Sequence, residues 1–360
     1  MRRALDLAER GRGIVSPNPL VGAVVVAGGE VAGEGWHRGP GTPHAETLAL
    51  EEAGERARGA TLYVTLEPCA HHGNTPPCAP AVAAARVARV VIAAGDPNPL
   101  VDGAGVRTLR EAGLEVELGL LADEAQRQNE AFRKHITTGL PFVTLKMAAS
   151  LDGKAAARDG SSKWISGEES RADVQRMRMA ADAIMVGAGT AFRDDPHLVV
   201  RDPAYAGAPK TRVVIDGRGI VPETHRVFDD AAPTLVATTD TSPRERREAW
   251  AAAGADVVVL DDAGSGLIPI DRLMAELGKR DMQHVLLEGG PTIAWEAVDR
   301  GVVDRLVLFI APILVGGEDA PSVLMGGGVP GIGGAVPLEL VEVTRIGDDI
   351  KVVADVHRHR

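Results

Sequence analysis

The chain has 360 residues, 45% of them hydrophobic, and is therefore long enough to form two domains with separate cores. Its formal net charge of -11 and its aromatic content of 3% disfavour a nucleic-acid substrate and favour a small molecule. No apolar run is long enough to span a bilayer, and the basic N-terminus lacks an apolar core. We therefore expect no membrane segment, no secretory signal and a cytoplasmic location.

The first elements are a short amphipathic helix over residues 2–12 and a strand over residues 20–27. Between them lies Ser-Pro-Asn-Pro, where two prolines remove backbone donors and stiffen the loop that displays Asn18. Asn18 is either a substrate contact or an ordinary turn former.

The next stretch contains a candidate zinc site. A predicted helix begins near His44, includes Glu46 and ends at Gly59; a strand then leads to Cys69, and Cys78 follows it. One imidazole and two thiolates form a ligand set that zinc prefers, and three protein ligands leave a fourth position open for water. A nearby carboxylate that is not a ligand can move protons, as in zinc-dependent nucleobase deaminases with an HxE and PCxxC signature. The alternative is a helix-start histidine with two buried cysteines, but their order and spacing favour zinc.

The two cysteines enclose eight residues, AHHGNTPP, instead of the two in the short form of the signature. This loop is tethered at both ends to the metal site, so we expect it to lie over the active site. Its polar side chains, including His71 and Asn74, are then candidates for substrate contact, whereas we expect His72 to face water.

Alternating helices and strands continue to residue 113 and predict one domain with a largely parallel or mixed sheet. A polar helical segment then runs to Gly139 and Pro141, where we place the domain boundary. The predicted domains are 1–139 and 140–360.

The second domain begins with a predicted strand over residues 141–156, on which Lys146 and Asp152 share a face. Arg171 and Arg178 share a helical face that either binds phosphate or is simply solvated. Residues 284–298 read as strand, glycine pair and helix, so 289–292 can hold a diphosphate at the helix start. The chain has no GxGxxG fingerprint, which argues against a standard Rossmann domain.

Ordered motifs extend through the whole chain. The first half has PNPLVGAVVV, HAE, EPCAHHGNTPPC and DPNP, and the second has KMAASLDGKAA, SKWISGEESR, GAGTAFRDDPHLVVR and EGGPT. With these motifs the chain resembles, over nearly its whole length, the bifunctional pyrimidine deaminase/reductases of riboflavin biosynthesis. The resemblance implies the α/β class, with an N-terminal cytidine-deaminase-like α/β/α domain followed by a dihydrofolate-reductase-like α/β domain.

The resemblance also implies two activities. A hydrolase step would deaminate 2,5-diamino-6-(5-phosphoribosylamino)pyrimidin-4-one, with Zn2+ on His44, Cys69 and Cys78 and with Glu46 as general acid and base. An oxidoreductase step would then use NADPH to reduce the ribosyl group to ribityl. The implied substrate contacts of the deaminase are Asn18, His37, His71 and Asn98.

In the reductase the resemblance implies two further residue sets. The cofactor positions are Ala148, Trp164, Thr190, Asp194, Gly290, Pro291, Thr292, Ile293, Ala294, Trp295 and Glu296. The substrate positions are Lys146, Ser162, Arg178, Leu198, Arg201 and Glu288, where arginine suits a phosphate by charge and glutamate suits sugar hydroxyls by hydrogen bonding.

Two positions depart from the family pattern. Asn74 stands where Lys or Arg is common, and Gly217 stands where a hydroxyl residue is frequent. Three alternatives to the two-step enzyme are a single-activity enzyme with one decayed half, an RNA-editing deaminase, and a ligand-sensing or scaffold protein. No residue is committed to the extra phosphate that distinguishes NADPH from NADH. We also expect a homo-oligomer whose subunit number the sequence does not specify.

Overall fold

The computed structural model describes residues 1–70, 76–98, 101, 103–262 and 264–356. The chain divides into two compact units, Met1–Leu140 and Pro141–Arg360. Within the described residues, no helix combines the length and the apolar character that crossing a membrane requires.

The first unit is a five-stranded mixed sheet with helices packed on it. Its strands are β1 (Gly22–Ala27), β2 (Glu30–Trp36), β3 (Thr61–Leu66), β4 (Arg89–Ala94) and β5 (Glu115–Leu118). Its helices are α1 (Arg2–Glu9), α2 (Ala45–Ala53), α3 (Cys78–Ala84), α4 (Ala104–Glu111), α5 (Ala122–Gln128) and α6 (Glu130–Thr138).

The strand order β2-β1-β3-β4-β5 decides where the site lies. β3, β4 and β5 are parallel, whereas β1 is antiparallel to both of its neighbours. The carboxyl ends of β2, β3 and β4 therefore share one sheet edge with the amino end of β1. The loops that follow or precede these four strand ends carry most of the candidate deaminase residues.

Three glycines let helices lie directly on β1 and β2. A Cβ at Gly22 would come within 2.0 Å of the Ala4 carbonyl oxygen of α1. At Gly33 and Gly35 it would come within 2.2 Å of a carbonyl oxygen in α2. Because only glycine permits this backbone approach, these residues set how deeply α1 and α2 sit on the sheet.

Two helical predictions need correction in their extent. α2 ends at Ala53 and is followed by a 3-10 turn over Gly54–Ala57, because Gly54 adopts a positive φ of 53°. The polar segment before the domain boundary is not one helix but two, α5 and α6, interrupted at Asn129, whose φ and ψ are -106° and 20°.

The second unit is a nine-stranded sheet. Its strands are β6 (Phe142–Ser150), β7 (Ala183–Gly187), β8 (Thr211–Ile215), β9 (Thr234–Thr238), β10 (Asp256–Val259), β11 (His284–Leu287), β12 (Arg305–Ala311), β13 (Leu338–Ile346) and β14 (Asp349–Val356). Its helices are α7 (Glu168–Ala180), α8 (Ala188–Asp194), α9 (Arg244–Ala252), α10 (Ile270–Gly278) and α11 (Pro291–Asp299).

The strand order is β10-β9-β8-β7-β11-β6-β12-β14-β13. The first seven strands in this order are parallel, and the last two add an antiparallel hairpin. β6, β7 and β11 lie in the middle of the sheet, so their carboxyl ends meet at its centre.

The strand predicted over residues 141–156 is shorter in the structure. β6 ends at Ser150, and Asp152 lies in the following turn instead of sharing a strand face with Lys146. The Asp152 carboxylate accepts hydrogen bonds from the Ser150 hydroxyl and from the backbone N–H groups of Val315 and Gly316. These bonds lower the pKa of Asp152 to about 2 and tie the turn to the segment after β12.

Candidate active sites

The three candidate zinc ligands lie together in the first unit. His44 is the N-cap residue of α2, Cys69 follows the end of β3, and Cys78 begins α3. Their ligand atoms all lie within 4.8 Å of one another. His44 Nδ1 is 2.9 Å from Cys78 Sγ and 3.6 Å from Cys69 Sγ, and the Cys78 backbone N–H donates to Cys69 Sγ at 3.3 Å. A nitrogen and two sulfurs at this separation suit a tetrahedral zinc ion.

Hydrogen bonds among the three side chains shift their pKa values. The hydrogen bond with Cys78 lowers the pKa of the Cys69 thiol to about 4, and sharing that proton raises the pKa of Cys78. The hydrogen bond with Cys69 also raises the pKa of His44. The low pKa of Cys69 favours the thiolate that binds metal, whereas His44 and Cys78 release their protons when they bind one.

Glu46 lies in the first turn of α2, where it shares the helix end with His44. Its side chain is buried, and among the described residues its Oε2 has no hydrogen-bond partner. Burial raises the pKa of this carboxyl. A buried oxygen without a partner is costly unless a ligand satisfies it, so this atom is free to exchange a proton with a bound molecule.

A cavity of about 400 Å³ adjoins this cluster. Asn18 and His37 line it, and Asn18 Nδ2 is 2.9 Å from His37 Nε2. The His37 ring meets the His44 ring edge-on, with centroids 5.5 Å apart. Burial, followed by the nearby His44, lowers the pKa of His37, so a neutral ring is favoured there. Asn98, on the loop after β4, completes the predicted contacts that line the cavity.

The remaining predicted contact of the deaminase, His71, lies outside the described residues. So do His72 and Asn74, the residue that departs from the family pattern.

Sequence reasoning missed Glu67, which lies between β3 and Cys69. Its buried carboxylate accepts the backbone N–H of Val106 at 3.0 Å and that of Asp96 at 3.4 Å. α4 can approach because a Cβ at Gly105 would lie 1.9 Å from the Pro68 carbonyl oxygen. The available signal was an acidic residue at the end of a buried strand, but its partners lie too far along the chain to be inferred.

In the second unit, Lys146 and Glu288 stand side by side at the centre of the sheet. Leu145 of β6 is paired with Leu287 of β11, so Lys146 and Glu288, which follow them, are also neighbours. The two side chains lie in a buried setting and carry charges of opposite sign. Burial lowers the pKa of Lys146. Burial raises the pKa of Glu288, but Arg178, followed by Lys146 and Arg201, holds the pKa below its ordinary value.

Arg178 engages Glu288 through two hydrogen bonds. Its Nε donates to Oε1 at 2.6 Å and its Nη2 donates to Oε2 at 2.8 Å. Its Nη1 donates to the Val199 carbonyl at 3.0 Å. All three nitrogens are therefore in use, and the guanidinium holds the Glu288 carboxylate in a fixed plane. Arg171 has a different environment, since it lies over the Trp164 ring at 4.9 Å and donates to the Ser166 carbonyl.

The predicted cofactor residues cluster at the adjacent strand ends. Thr190 lies in α8, directly after β7, and Gly290 is the N-cap residue of α11, directly after β11. A Cβ at Gly290 would lie 3.0 Å from Thr190 Oγ1, and Gly289 has a φ of +88°. The glycine pair therefore lets two helix starts approach closely, and it leaves backbone donors of α11 available for an anion.

The other predicted positions lie around this centre. Ala148 is on β6, Asp194 ends α8, and Leu198 is buried with a positive φ of 49°. Trp164, Ser162 and Arg201 lie on loops, and Trp164 is 65% exposed. The structure thus brings the strand and helix-start residues together, and the charge of Arg201 also acts on Glu288.

The departure at Gly217 has a steric reason. A Cβ there would lie 2.3 Å from the Gly266 carbonyl oxygen, so the segment at Gly266 packs against the end of β8. The Gly217 carbonyl accepts hydrogen bonds from the hydroxyls of Thr239 and Thr241 at 2.8 and 3.2 Å.

Two family models and several known proteins match this chain. Residues 1–94 match the model of the cytidine and deoxycytidylate deaminase zinc-binding region, and residues 141–352 match the RibD C-terminal domain. The riboflavin biosynthesis protein RibD of Bacillus amyloliquefaciens is 43% identical over 100% of this chain and 99% of its own length. RibD of Escherichia coli is 41% identical over 97% of this chain and 96% of its own length.

Solved structures agree. Acinetobacter baumannii RibD has a TM-score of 0.89 and 38% identity, covering 99% of this chain and 98% of that one. A diaminohydroxyphosphoribosylaminopyrimidine deaminase/5-amino-6-(5-phosphoribosylamino)uracil reductase from Thermotoga maritima has a TM-score of 0.87 and 35% identity, covering 99% and 97%. The predicted α/β class and the order of the two domain types are confirmed. The chain belongs to the RibD family and is a bifunctional enzyme of riboflavin biosynthesis, with a zinc-binding deaminase region followed by a reductase.

Proposed function

We propose that this chain deaminates 2,5-diamino-6-(5-phosphoribosylamino)pyrimidin-4-one by hydrolysis and then reduces the ribosyl group of the product to ribityl. One observation carries the proposal. A nitrogen and two sulfur atoms within 4.8 Å of one another adjoin a cavity, beside a buried carboxylate oxygen that lacks a partner among the described residues. This combination of soft ligands and a carboxylate suits hydrolytic deamination.

In the deaminase we assign His44, Cys69 and Cys78 as the residues that hold zinc. Zinc, when bound, lowers the pKa of a coordinated water and so supplies a nucleophile near neutral pH. Glu46 Oε2 accepts the proton of the attacking water and returns protons to the ring nitrogen and to the leaving amine, so that water is consumed and ammonia released. Asn18, His37 and Asn98 orient the polar edge of the ring, and His71 is assigned the same task by resemblance.

In the reductase we assign NADPH to the cleft at the carboxyl ends of β6, β7 and β11. The cofactor, when bound, donates a hydride to the ribose C1. The bond between C1 and the ring oxygen breaks as that oxygen gains a proton. Lys146 is placed to give this proton from its ammonium group, because burial lowers the pKa of that group and makes it a stronger acid. Glu288, fixed in orientation by Arg178, accepts hydrogen bonds from sugar hydroxyls.

The remaining assignments follow the same division of the chain. Residues 290–296, together with Ala148, Trp164, Thr190 and Asp194, contact the cofactor. Ser162, Leu198 and Arg201 contact the substrate, and Arg201 is the arginine with charge available for the phosphate. We propose residues 1–139 as the deaminase domain and 140–360 as the NADPH-dependent reductase domain of a cytoplasmic homo-oligomer.

The test supplies the diaminopyrimidine nucleotide with and without NADPH and identifies both products. Without NADPH we expect ammonia and the deaminated nucleotide, and with NADPH the ribityl product. Glu46→Gln should abolish ammonia release but leave NADPH oxidation intact when the pre-deaminated substrate is supplied. Loss of both activities, or of neither, would contradict separate sites. A chain with only one activity in all assays would indicate an enzyme with one decayed half.

A further inference from the structure

α6 contributes to the deaminase cavity, although the match to the deaminase zinc-binding region ends at residue 94. Phe132 and Ile136, one turn apart on α6, both line the cavity. Among the described lining residues, Phe132 is the only Phe, Tyr or Trp. Its side chain is otherwise buried. The cavity therefore has an apolar, aromatic wall that the zinc-binding motif itself does not supply.

Asn129 fixes this wall to the loop that displays Asn18. Its Oδ1 accepts the Leu20 backbone N–H at 2.7 Å, and its Nδ2 donates to the Leu20 carbonyl at 2.8 Å. Both bonds are buried, and Asn129 itself is 4% exposed. Leu20 lies two residues after Asn18, and Asn129 lies three residues before Phe132. One amide side chain therefore couples the backbone positions of two cavity residues that are far apart in sequence.

We propose that α6 supplies the wall that binds the ring of the deaminase substrate, and this inference rests on the proposed function. Phe132 and Ile136 pack on a face of the pyrimidine, while the polar groups of Asn18, Glu46 and Asn98 meet its edges. Asn129 is a positioning residue that sets the distance between this wall and the Asn18 loop. A flat ring with apolar faces and polar edges is the ligand class that such a cavity suits.

The first experiment measures the dissociation constant of the diaminopyrimidine nucleotide in the Glu46→Gln background, where turnover does not interfere. We expect Phe132→Ala to weaken binding roughly 5- to 150-fold, the range for loss of one aromatic contact to a base. Zinc content and the reduction of pre-deaminated substrate should stay unchanged. Matched controls are Thr137→Ala on the exposed side of α6 and Leu109→Ala in the core. Neither residue lines the cavity, and neither control should change the dissociation constant.

The second experiment tests Asn129 by a double-mutant cycle. Asn129→Asp keeps the acceptor but places a carboxylate against the Leu20 carbonyl. In otherwise unchanged enzyme it should raise the KM for deamination more than it lowers kcat. Its effect on binding should shrink when Phe132 is already alanine, because the two residues act through one wall. Full additivity of the two substitutions would overturn the positioning role.

The outcomes separate this inference from the proposed function. If the unsubstituted chain releases ammonia but Phe132→Ala binds within about twofold of its parent, α6 does not bind the ring. The same conclusion follows if Leu109→Ala weakens binding as much as Phe132→Ala does while zinc is retained. If the unsubstituted chain releases no ammonia and the Glu46→Gln chain binds no nucleotide, the proposed function fails and this inference fails with it.

Discussion

The two cysteines of this chain, Cys69 and Cys78, both lie in one cluster with His44. A thiolate is a far better zinc ligand than a serine hydroxyl, because a serine keeps its proton at neutral pH. The cluster also joins three structural elements, the start of α2, the end of β3 and the start of α3. The proposed metal ligands would therefore have a structural role in addition to a chemical one.

Cys78→Ser should remove the zinc and the deaminase activity together. We expect zinc affinity to fall more than about 100-fold, beyond the usual effect of disturbing a residue that only supports a ligand. Metal analysis of the purified chain and an ammonia-release assay measure the two effects. Reduction of pre-deaminated substrate serves as the control. A variant that keeps one zinc per chain would show that Cys78 is not a ligand.

Lys210, before β8, lies in a buried position where a charge is costly. Burial lowers its pKa from 10.5 to about 8. Between these two values the unfolded chain binds more protons than the folded chain, so the free energy of unfolding rises with pH across this window. Below about pH 8 the cost of the buried charge is fully present.

Lys210→Met should therefore stabilise the chain at pH 7, by at most ~3 kcal/mol, the free-energy equivalent of the two pKa values. The gain should shrink as the pH rises from about 8 towards 10.5. Urea unfolding at several pH values measures it as a difference between variant and parent. Lys279→Met is the control, since its side chain is 75% exposed. If the free energies of unfolding of Lys210→Met and its parent changed in parallel with pH, this prediction would be contradicted.

At the residue scale, the sequence predicted residues whose chemistry is local. His44, Glu46 and the two cysteines could be recognised because this combination of residue types in this order is unusual. Glu67 and Asn129 could not, since each acts through backbone groups 39 and 109 positions away. Their role depends on the tertiary structure, and a single glutamate or asparagine has many ordinary reasons to occur.

Among the elements, α2 depends on the glycines of β2. Gly35 faces Ala45 at the start of this helix, next to His44, whereas Gly33 faces Ala49 and Ala53 near its end. Both positions exclude a Cβ, but only Gly35 adjoins the proposed metal ligand. The strand therefore positions His44 through the packing of α2.

Gly35→Ala should push the start of α2 away from the sheet and weaken zinc binding. Gly33→Ala is the matched control on the same strand face and should leave zinc affinity closer to that of the parent. We expect each substitution to cost about 1–3 kcal/mol of stability, as overpacking usually does. Chelator competition and urea unfolding measure the two quantities. Equal zinc affinity in both variants would show that the position of the helix start does not control the ligand.

The extent of elements was predicted less well than their order. The strand, glycine pair and helix at 284–298 appear as β11, Gly289–Gly290 and α11, because a buried run and a glycine pair are strong local signals. The break at Asn129 and the early end of β6 were missed. In both cases side-chain bonds to distant backbone groups overrode a continuous local pattern.

For the whole molecule, the residues of the two proposed activities fall into separate compact units. The proposed metal ligands and Glu46 lie within Met1–Leu140, and the proposed reductase residues lie within Pro141–Arg360. Each unit has its own sheet. A substitution that changes the chemistry of one site therefore need not change the activity of the other.

Removal of zinc from the full chain tests this separation. Treatment with a chelator, followed by desalting, should reduce ammonia release in proportion to the zinc lost, because the nucleophile depends on the metal. Reduction of pre-deaminated substrate should keep its kcat and its KM within about twofold, because all groups assigned to that step belong to the second unit. Adding zinc back should restore ammonia release and is the control for irreversible damage. A reductase rate that falls in step with zinc content, and recovers with it, would show instead that the reductase depends on the metal-loaded first unit.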